Sequence, residues 1–439
     1  MTIMPREELR QEQFYGLGIA PTLLERIEAL GFEHPTPIQH KAIPIACRGE
    51  DVVGIAQTGT GKTLAFCVPM LQQMSARGKK GLILLPTREL AIQVLETLTK
   101  LGGALGLRTA LLIGGTNQNP QVKQLRAKPH VIVATPGRLI DMMEQKHANL
   151  DQIGVLVLDE ADRMLDMGFA PQLKKILAKV PTDRQTMLFS ATMPEQIAQI
   201  AKQYMKSPLR IEVAPSGTAA ELVDQEMFIV SKNEKNELLE RLLVEYKGTI
   251  LVFSRTKHGA KKITRLIRDL GHSVAEIHSN RSQSQRQEAL KGFSNGKYRV
   301  MVATDIAARG IDVKNIELVI NFDLPDQLED YVHRIGRTGR AGRSGKAISF
   351  AVPEQKNDIL QIERMIKTTL PIKTKTGELI ARKSGAQPTG SYGPGPRSRG
   401  GGGSPRSRAG GGGHRGGGGG GQRGGGGGRT SGGGRSRHR

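Results

Sequence analysis

The run Val155-Leu156-Val157-Leu158 stops abruptly at Asp159-Glu160-Ala161-Asp162. Consecutive β-forming apolar residues predict a strand buried on both faces, the kind found inside parallel sheets covered by helices. All strands of a parallel sheet point the same way, so working groups collect at their carboxyl ends. Adjacent carboxylates at such an end are well placed for chemistry. The same pair would also suit the first turn of a helix, whose positive end favours acids.

Similar apolar runs recur at Asp51–Ile55, Gly81–Leu85, Val131–Ala134 and Thr186–Phe189, with helical patterns between them. This alternation predicts an α/β fold with crossover helices. Ala214-Pro215-Ser216-Gly217-Thr218 interrupts it as a linker. The rhythm resumes at Thr249–Phe253, Ser273–Ile277, Val300–Ala303 and Leu318–Asn321 and fades after about Pro371. We therefore expect domains at 1–212 and 223–371, a linker at 213–222 and a basic extension at 372–439. The halves echo each other: Val133-Ala134-Thr135 and Val302-Ala303-Thr304 both end a strand in Thr. From about Ser384 apolar periodicity is lost. The stretch is rich in Gly and Arg and free of acids, which predicts a disordered tail.

A formal charge of +23 over 439 residues predicts a polyanionic partner. Cys47 and Cys67 form neither a metal-ligand spacing nor a disulfide framework, which fits a reducing cytoplasm. No uncharged apolar run approaches the length of a membrane span, so none is expected.

Ala56-Gln57-Thr58-Gly59-Thr60-Gly61-Lys62-Thr63 precedes the acidic motif. Backbone N–H groups around Gly59 and Gly61 can wrap phosphate oxygens, because glycine lets the main chain come close. Lys62 would reach the β- and γ-phosphates and Thr63 would bind Mg²⁺. Asp159 would also hold Mg²⁺, and Glu160 would orient and deprotonate the attacking water. The strict loop pattern begins with Gly, where this chain has Ala56. Upstream, Gln39 carries a carboxamide that can pair with N6 and N7 of adenine. In the second half, Tyr331-Val332-His333-Arg334-Ile335-Gly336-Arg337-Thr338-Gly339-Arg340 reads either as a solvated basic surface or as arginine fingers. Fingers on one half and Lys62 on the other would make hydrolysis require closure.

These motifs, in this order over roughly residues 14–355, resemble the DEAD-box ATP-dependent RNA helicases, and within them the bacterial RhlE-like branch. The resemblance includes Pro35-Thr36-Pro37-Ile38-Gln39, Pro86-Thr87-Arg88-Glu89-Leu90-Ala91, Gly114-Gly115, Thr135-Pro136-Gly137-Arg138, Ser190-Ala191-Thr192, Val252-Phe253-Ser254-Arg255-Thr256 and Ala303-Thr304-Asp305 through Asp312. That family also begins its phosphate loop with Ala. The resemblance implies two tandem RecA-like parallel-sheet domains and ATP with Mg²⁺. It implies Phe14 or Phe32 packing on a base read by Gln39, Asp312 on the ribose, Arg337 and Arg340 as fingers, and His333 near the attacking water. Ser190 and Thr192 would couple hydrolysis to strand separation, with Asp162 contacting that segment. Arg88, Gly115, Thr135, Arg138, Thr256, Thr304 and Gly310 would line an RNA track through backbone contacts without sequence preference. Ser279, in His278-Ser279-Asn280, stands where the family usually has Gly, and Ser tolerates a positive φ poorly.

The function implied is ATP hydrolysis coupled by domain closure to RNA binding and opening of short duplexes. An ATP-regulated RNA clamp or annealing chaperone, or a DNA translocase, would use the same parts. Ribosomal or mRNA-decay complexes are compatible partners for a monomeric, cytoplasmic core. Arg399-Gly400-Gly401, Arg415-Gly416-Gly417 and Arg423-Gly424-Gly425 resemble RNA-binding tails, with electrostatic, salt-dependent binding expected.

Overall fold

Apolar runs without alternation become strands covered on both faces. The computed structural model describes residues 13–57, 59–213, 223–308, 313, 316–339 and 345–380. The first sheet contains β1 (Val52–Ile55), β2 (Lys80–Leu84), β3 (Thr109–Leu112), β4 (Val131–Ala134), β5 (Ile153–Leu158), β6 (Gln185–Ser190) and β7 (Leu209–Glu212). The second contains β8 (Val223–Ile229), β9 (Ile250–Phe253), β10 (Val274–Ile277), β11 (Val300–Ala303), β12 (Leu318–Asn321), β13 (Gly345–Ala351) and β14 (Ile372–Lys373). The spatial orders are β3-β4-β2-β5-β6-β1-β7 and β10-β11-β9-β12-β13-β8-β14. Neighbours in both sheets run parallel. The two orders correspond place by place, so β4 matches β11, β2 matches β9 and β5 matches β12. Thr135 and Thr304, the sequence echo, follow corresponding strands. These are two tandem RecA-like lobes, and both belong to one compact unit.

Every residue of β5 is buried. Val155 and Val157 share one core with Phe66 and Phe189, while Leu156 and Leu158 face the other way, with Leu173 and Ile176. Full burial of each such side chain contributes about 1.5–3 kcal/mol. The core side of Gly54 is filled: a Cβ there would meet the Phe189 ring at 2.6 Å. β3, β7, β8, β13 and β14 lie outside the apolar runs expected to be strands. β7 is an edge strand with only Ile211 buried, and β13 mixes Lys346 and Ser349 among apolar residues. β14 extends the second sheet past Pro371, where the sequence rhythm has faded.

Register decides what meets at the working edge. Ile55 pairs with Ser190, Leu158 with Leu188 and Leu84, and Leu84 with Ala134. The strands therefore end almost level. The loop after β1, the acids after β5, Ser190-Thr192 and Thr135 all emerge on one edge of the sheet.

Candidate active site

Gly59 and Gly61 have φ of +89° and +88°, values that a residue with a Cβ adopts at a cost. A Cβ on Gly61 would also overlap Gln39 Nε2. Gln39 is buried against the loop: its Nε2 donates to Gly61 O at 3.0 Å and its Oε1 accepts from Thr36 N at 2.9 Å. Each end of the carboxamide keeps capacity for one further bond. Lys62 opens the helix Lys62–Arg77, and its Nζ donates to Ala56 O at 2.8 Å. The ammonium thus lies folded over the mouth of the loop, where the helix dipole also favours an anion. Thr60 Oγ1 donates to Gln57 O at 2.7 Å, and Thr63 is half-buried on the first turn. Phe14 is 4% exposed within the core, whereas Phe32 is 42% exposed.

Asp159 and Glu160 are buried beside this loop. Burial pushes the Asp159 carboxyl up to about 7; Lys62 opposes the rise and Glu160 adds to it. Glu160 moves the other way: burial would raise it, but Arg163, Lys62, Arg337 and His333 hold it below the usual range. Its backbone is left-handed, with φ 50° and ψ 51°, a costly conformation for a residue other than glycine. Glu160 N donates to Asp159 Oδ1 at 2.9 Å. Asp162 is bound to the end of β6. Its Oδ2 accepts from Ala191 N at 3.1 Å, Thr192 N at 2.8 Å and Thr192 Oγ1 at 2.9 Å, and its own N donates to Ser190 Oγ at 3.2 Å.

The second lobe faces these acids with the helix Leu328–Ile335 and the residues after it. His333 is held below its usual range by burial and by Arg163. Arg337 is 2% exposed, its Nε donates to His333 O at 3.1 Å, and its charge reaches Glu160. The arginines of this cluster have separate tasks. Arg334 grips Asp305 in a bidentate pair at 2.6 and 2.7 Å and lies over the Phe253 ring, so it serves the second lobe itself.

Further along the same edge, the Arg88 guanidinium occupies the space that a Cβ on Gly115 (φ +68°) would need. Burial, together with Arg286 and Arg138, lowers the Arg88 pKa. Arg138 Nη2 donates to Thr116 O at 3.3 Å. Thr135 is 8% exposed at the start of the helix Pro136–Glu144. Thr256 Oγ1 accepts from Gly259 N at 3.0 Å, and Thr304 O accepts from Ala307 N at 3.0 Å. The lobes meet at Glu89: Arg286 Nη2 lies 3.0 Å from Glu89 Oε2, and Gln283 Nε2 donates to Oε1 at 3.3 Å. Glu89 as a cross-lobe anchor escaped the sequence reading; its signal was an acid in a helix whose basic partner lies far away in sequence. Ser279 corrects an expectation. It is not among the non-glycine residues with positive φ, so this turn needs no glycine. Thr58, Gly310, Asp312, Arg340, most of the 213–222 linker and the Arg/Gly tail lie outside the described residues.

Residues 36–200 match the DEAD/DEAH box helicase family model, and residues 234–342 match the helicase conserved C-terminal domain. The chain is 44% identical over 378 residues to the ATP-dependent rRNA helicase RRP3 of Candida albicans, covering 85% of this chain and 71% of that protein. It is 44% identical over 348 residues to DEAD-box ATP-dependent RNA helicase 20 of Oryza sativa subsp. japonica, covering 77% and 70%. The structure is similar to S. cerevisiae Dbp5 bound to RNA and ADP BeF3, with TM-score 0.74 and 31% identity over 83% of this chain and 96% of that one.

Proposed function

The chain belongs to the DEAD-box ATP-dependent RNA helicases, and on that premise we propose how its residues divide the work. The observation that carries the reading is the level ending of β1, β5 and β6. It sets a phosphate loop, an acidic pair and a hydroxyl segment side by side, opposite His333 and Arg337.

The loop 56–63 holds the triphosphate of ATP, with Lys62 swinging from Ala56 O onto phosphate oxygens. Gln39 uses its remaining donor and acceptor on adenine. Phe32 offers an exposed ring face to the base, whereas Phe14 supports the loop from within the core. Asp312 contacts the ribose. Asp159 and Thr63 suit Mg²⁺, a hard cation that takes few protein oxygens beside phosphates and water. Among the described residues no group of three or more His, Cys, Asp or Glu side chains forms a metal centre. Held by Asp159 and Thr63, Mg²⁺ would supply positive charge to offset that of the phosphate oxygens. Glu160, kept ionised by its cationic neighbours, orients the water and accepts its proton. His333 steadies that water, and Arg337 with Arg340 meets the charge developing on the transferred phosphoryl group. Asp162, bonded to Ser190–Thr192, passes the state of the site along the sheet edge. RNA binds there through Arg88, Gly115, Thr135, Arg138, Thr256, Thr304 and Gly310, and closure opens a short duplex.

The boundaries 1–212, 213–222, 223–371 and 372–439 remain our division of the chain. The RhlE-like branch rests on sequence motifs alone, because the relatives named above are from yeast and rice. A ribosomal RNA complex is favoured among possible partners by the name of the Candida relative. Among the described residues no helix is long and apolar enough to cross a membrane. We place a monomeric core in the cytoplasm. Glu160→Gln is the decisive test. RNA-stimulated hydrolysis should fall by about 10²–10⁴, the usual worth of a general base, while ATP-dependent RNA binding persists. Turnover near wild type would refute the site.

A further inference from the structure

The helix Lys257–Asp269 carries charges that none of these roles employs. It starts at Thr256, its N-cap, whose Oγ1 accepts from Gly259 N. Ala260, Ile263 and Ile267 pack into the core on one face of the second sheet. The outer face exposes Lys257, Lys261, Arg265 and Arg268, with His258 and Lys262 beside them. Steps of three and four residues put neighbours on one side of a helix, so these side chains form a continuous stripe. At about 1.5 Å per residue it is roughly 16 Å long.

Helix stability does not call for this arrangement. Like charges four residues apart repel, and cations in the first turn oppose the helix dipole. Both disadvantages are present: Lys257, Lys261 and Arg265 follow at that interval, and no acid stands in the first turn. Asp269, the one acid of the helix, lies at its far end, 3.7 Å from Arg265. Lys261, Lys262 and Arg268 have no ion-pair partner among the described residues. Lys257 Nζ meets a neutral acceptor, Asn280 Oδ1, at 3.2 Å. Covering the core does not require basic side chains either. The helix Lys235–Glu245 packs on the same core and exposes Glu237, Glu240 and Glu245 beside Arg241. The chain order places the stripe: the helix leaves the carboxyl end of β9 and leads to β10, the edge strand. It therefore runs from the working edge back along the flank of the lobe.

We propose that this face is a second RNA-binding surface: the stripe receives phosphates of the strand leaving the track at Thr256 and extends the bound length along the outside of the second lobe. The charge is complementary to a sugar–phosphate backbone, and the surface is continuous with a track residue. Exposed lysine and arginine side chains contact phosphates without reading base edges, so the surface has no sequence preference. The entry of the strand at Thr256 rests on the track proposed above, whereas phosphate binding by the stripe does not.

The test compares the full chain with a variant combining Lys261→Gln, Arg265→Gln and Arg268→Gln. A control of equal charge combines Lys356→Gln, Arg364→Gln and Lys367→Gln, on the helix Lys356–Ile366 and its C-cap, which pack on the opposite face of the second sheet. All six positions are exposed, so neither variant disturbs a core. Affinity for a length series of oligouridylates is measured with a non-hydrolysable ATP analogue over a range of salt. The Arg/Gly-rich tail is common to all three proteins and cancels. The shortest oligomers that bind should bind all three equally. On longer strands the stripe variant should bind about tenfold or more weakly at low salt, with a salt slope smaller by about 2, from three lost contacts at about 0.7 each. The control should keep the wild-type slope. A loss equal at every length, no loss on long strands, or the same loss in the control would overturn the proposal. If Arg138→Ala binds the shortest oligomers normally while the stripe variant still loses long ones, the reading of the track fails and the stripe stands.

Discussion

Arg286→Ala removes the basic half of a pair that joins the lobes. Glu89 and Arg286 side chains are 2% and 11% exposed, and Arg286 Nη2 lies 3.0 Å from Glu89 Oε2. In the variant the closed form keeps Glu89 buried, with the Gln283 amide at 3.3 Å as its remaining cross-lobe donor. Breaking a buried ion pair from one side costs about 3–5 kcal/mol. Part of that is relieved because Glu89 can regain water when the lobes separate, and residual hydration would lower it further. A penalty of roughly 3 kcal/mol on closure alone corresponds to about a hundredfold, at 1.4 kcal/mol per decade. Fluorescence anisotropy of a labelled RNA with a non-hydrolysable ATP analogue should show that loss, whereas ATP affinity without RNA should be unchanged. Glu89→Gln combined with Arg286→Gln removes both charges and should recover much of the binding. RNA affinity within threefold of wild type in Arg286→Ala would refute the reasoning, as would an equal loss in the neutral pair.

Gly61→Ala forces a Cβ onto a φ of +88° and into Gln39, so ATP affinity should fall with the loop displaced; equilibrium titration measures it. Ser190→Ala with Thr192→Ala removes two hydroxyls bonded to Asp162, and duplex opening should drop far more than RNA-stimulated hydrolysis in parallel assays. Asp323 contributes a pH-dependent term. Burial would raise its carboxyl, but Lys235 at 2.9 Å and the Arg255 backbone outweigh this and hold it below the usual value. A depressed folded pKa adds stability above about pH 4 that is lost as pH falls through the folded value. Urea unfolding should therefore find Asp323→Asn less stable at neutral pH, with the gap from wild type closing in acid. Deleting 384–439 should weaken RNA binding at low salt and flatten its salt dependence; an unchanged salt titration would remove the tail from RNA binding.

Much was legible in the chain because it is written locally. Val155–Leu158 is apolar without alternation, so it could only be covered on both faces, and the parallel α/β architecture followed. Gly59, Gly61 and Lys62 announce an anion loop because close backbone approach and a positive φ are properties of single residues. Strands such as β7 and β13 escaped detection because edge position and mixed polarity erase the apolar signal. Phe14 and Phe32 looked equivalent until packing buried one ring and exposed the other. The arginines 334, 337 and 340 form one basic run in sequence. Only the fold assigns Arg334 to Asp305 and turns Arg337 toward Glu160, because both depend on partners from distant strands. The same holds for Glu89 with Arg286. By itself the sequence determined a pair of covered parallel sheets, a phosphate loop and an acidic strand end. The tertiary structure decided which charges meet across the lobes, since a buried ion is tolerated only where a distant residue supplies its partner.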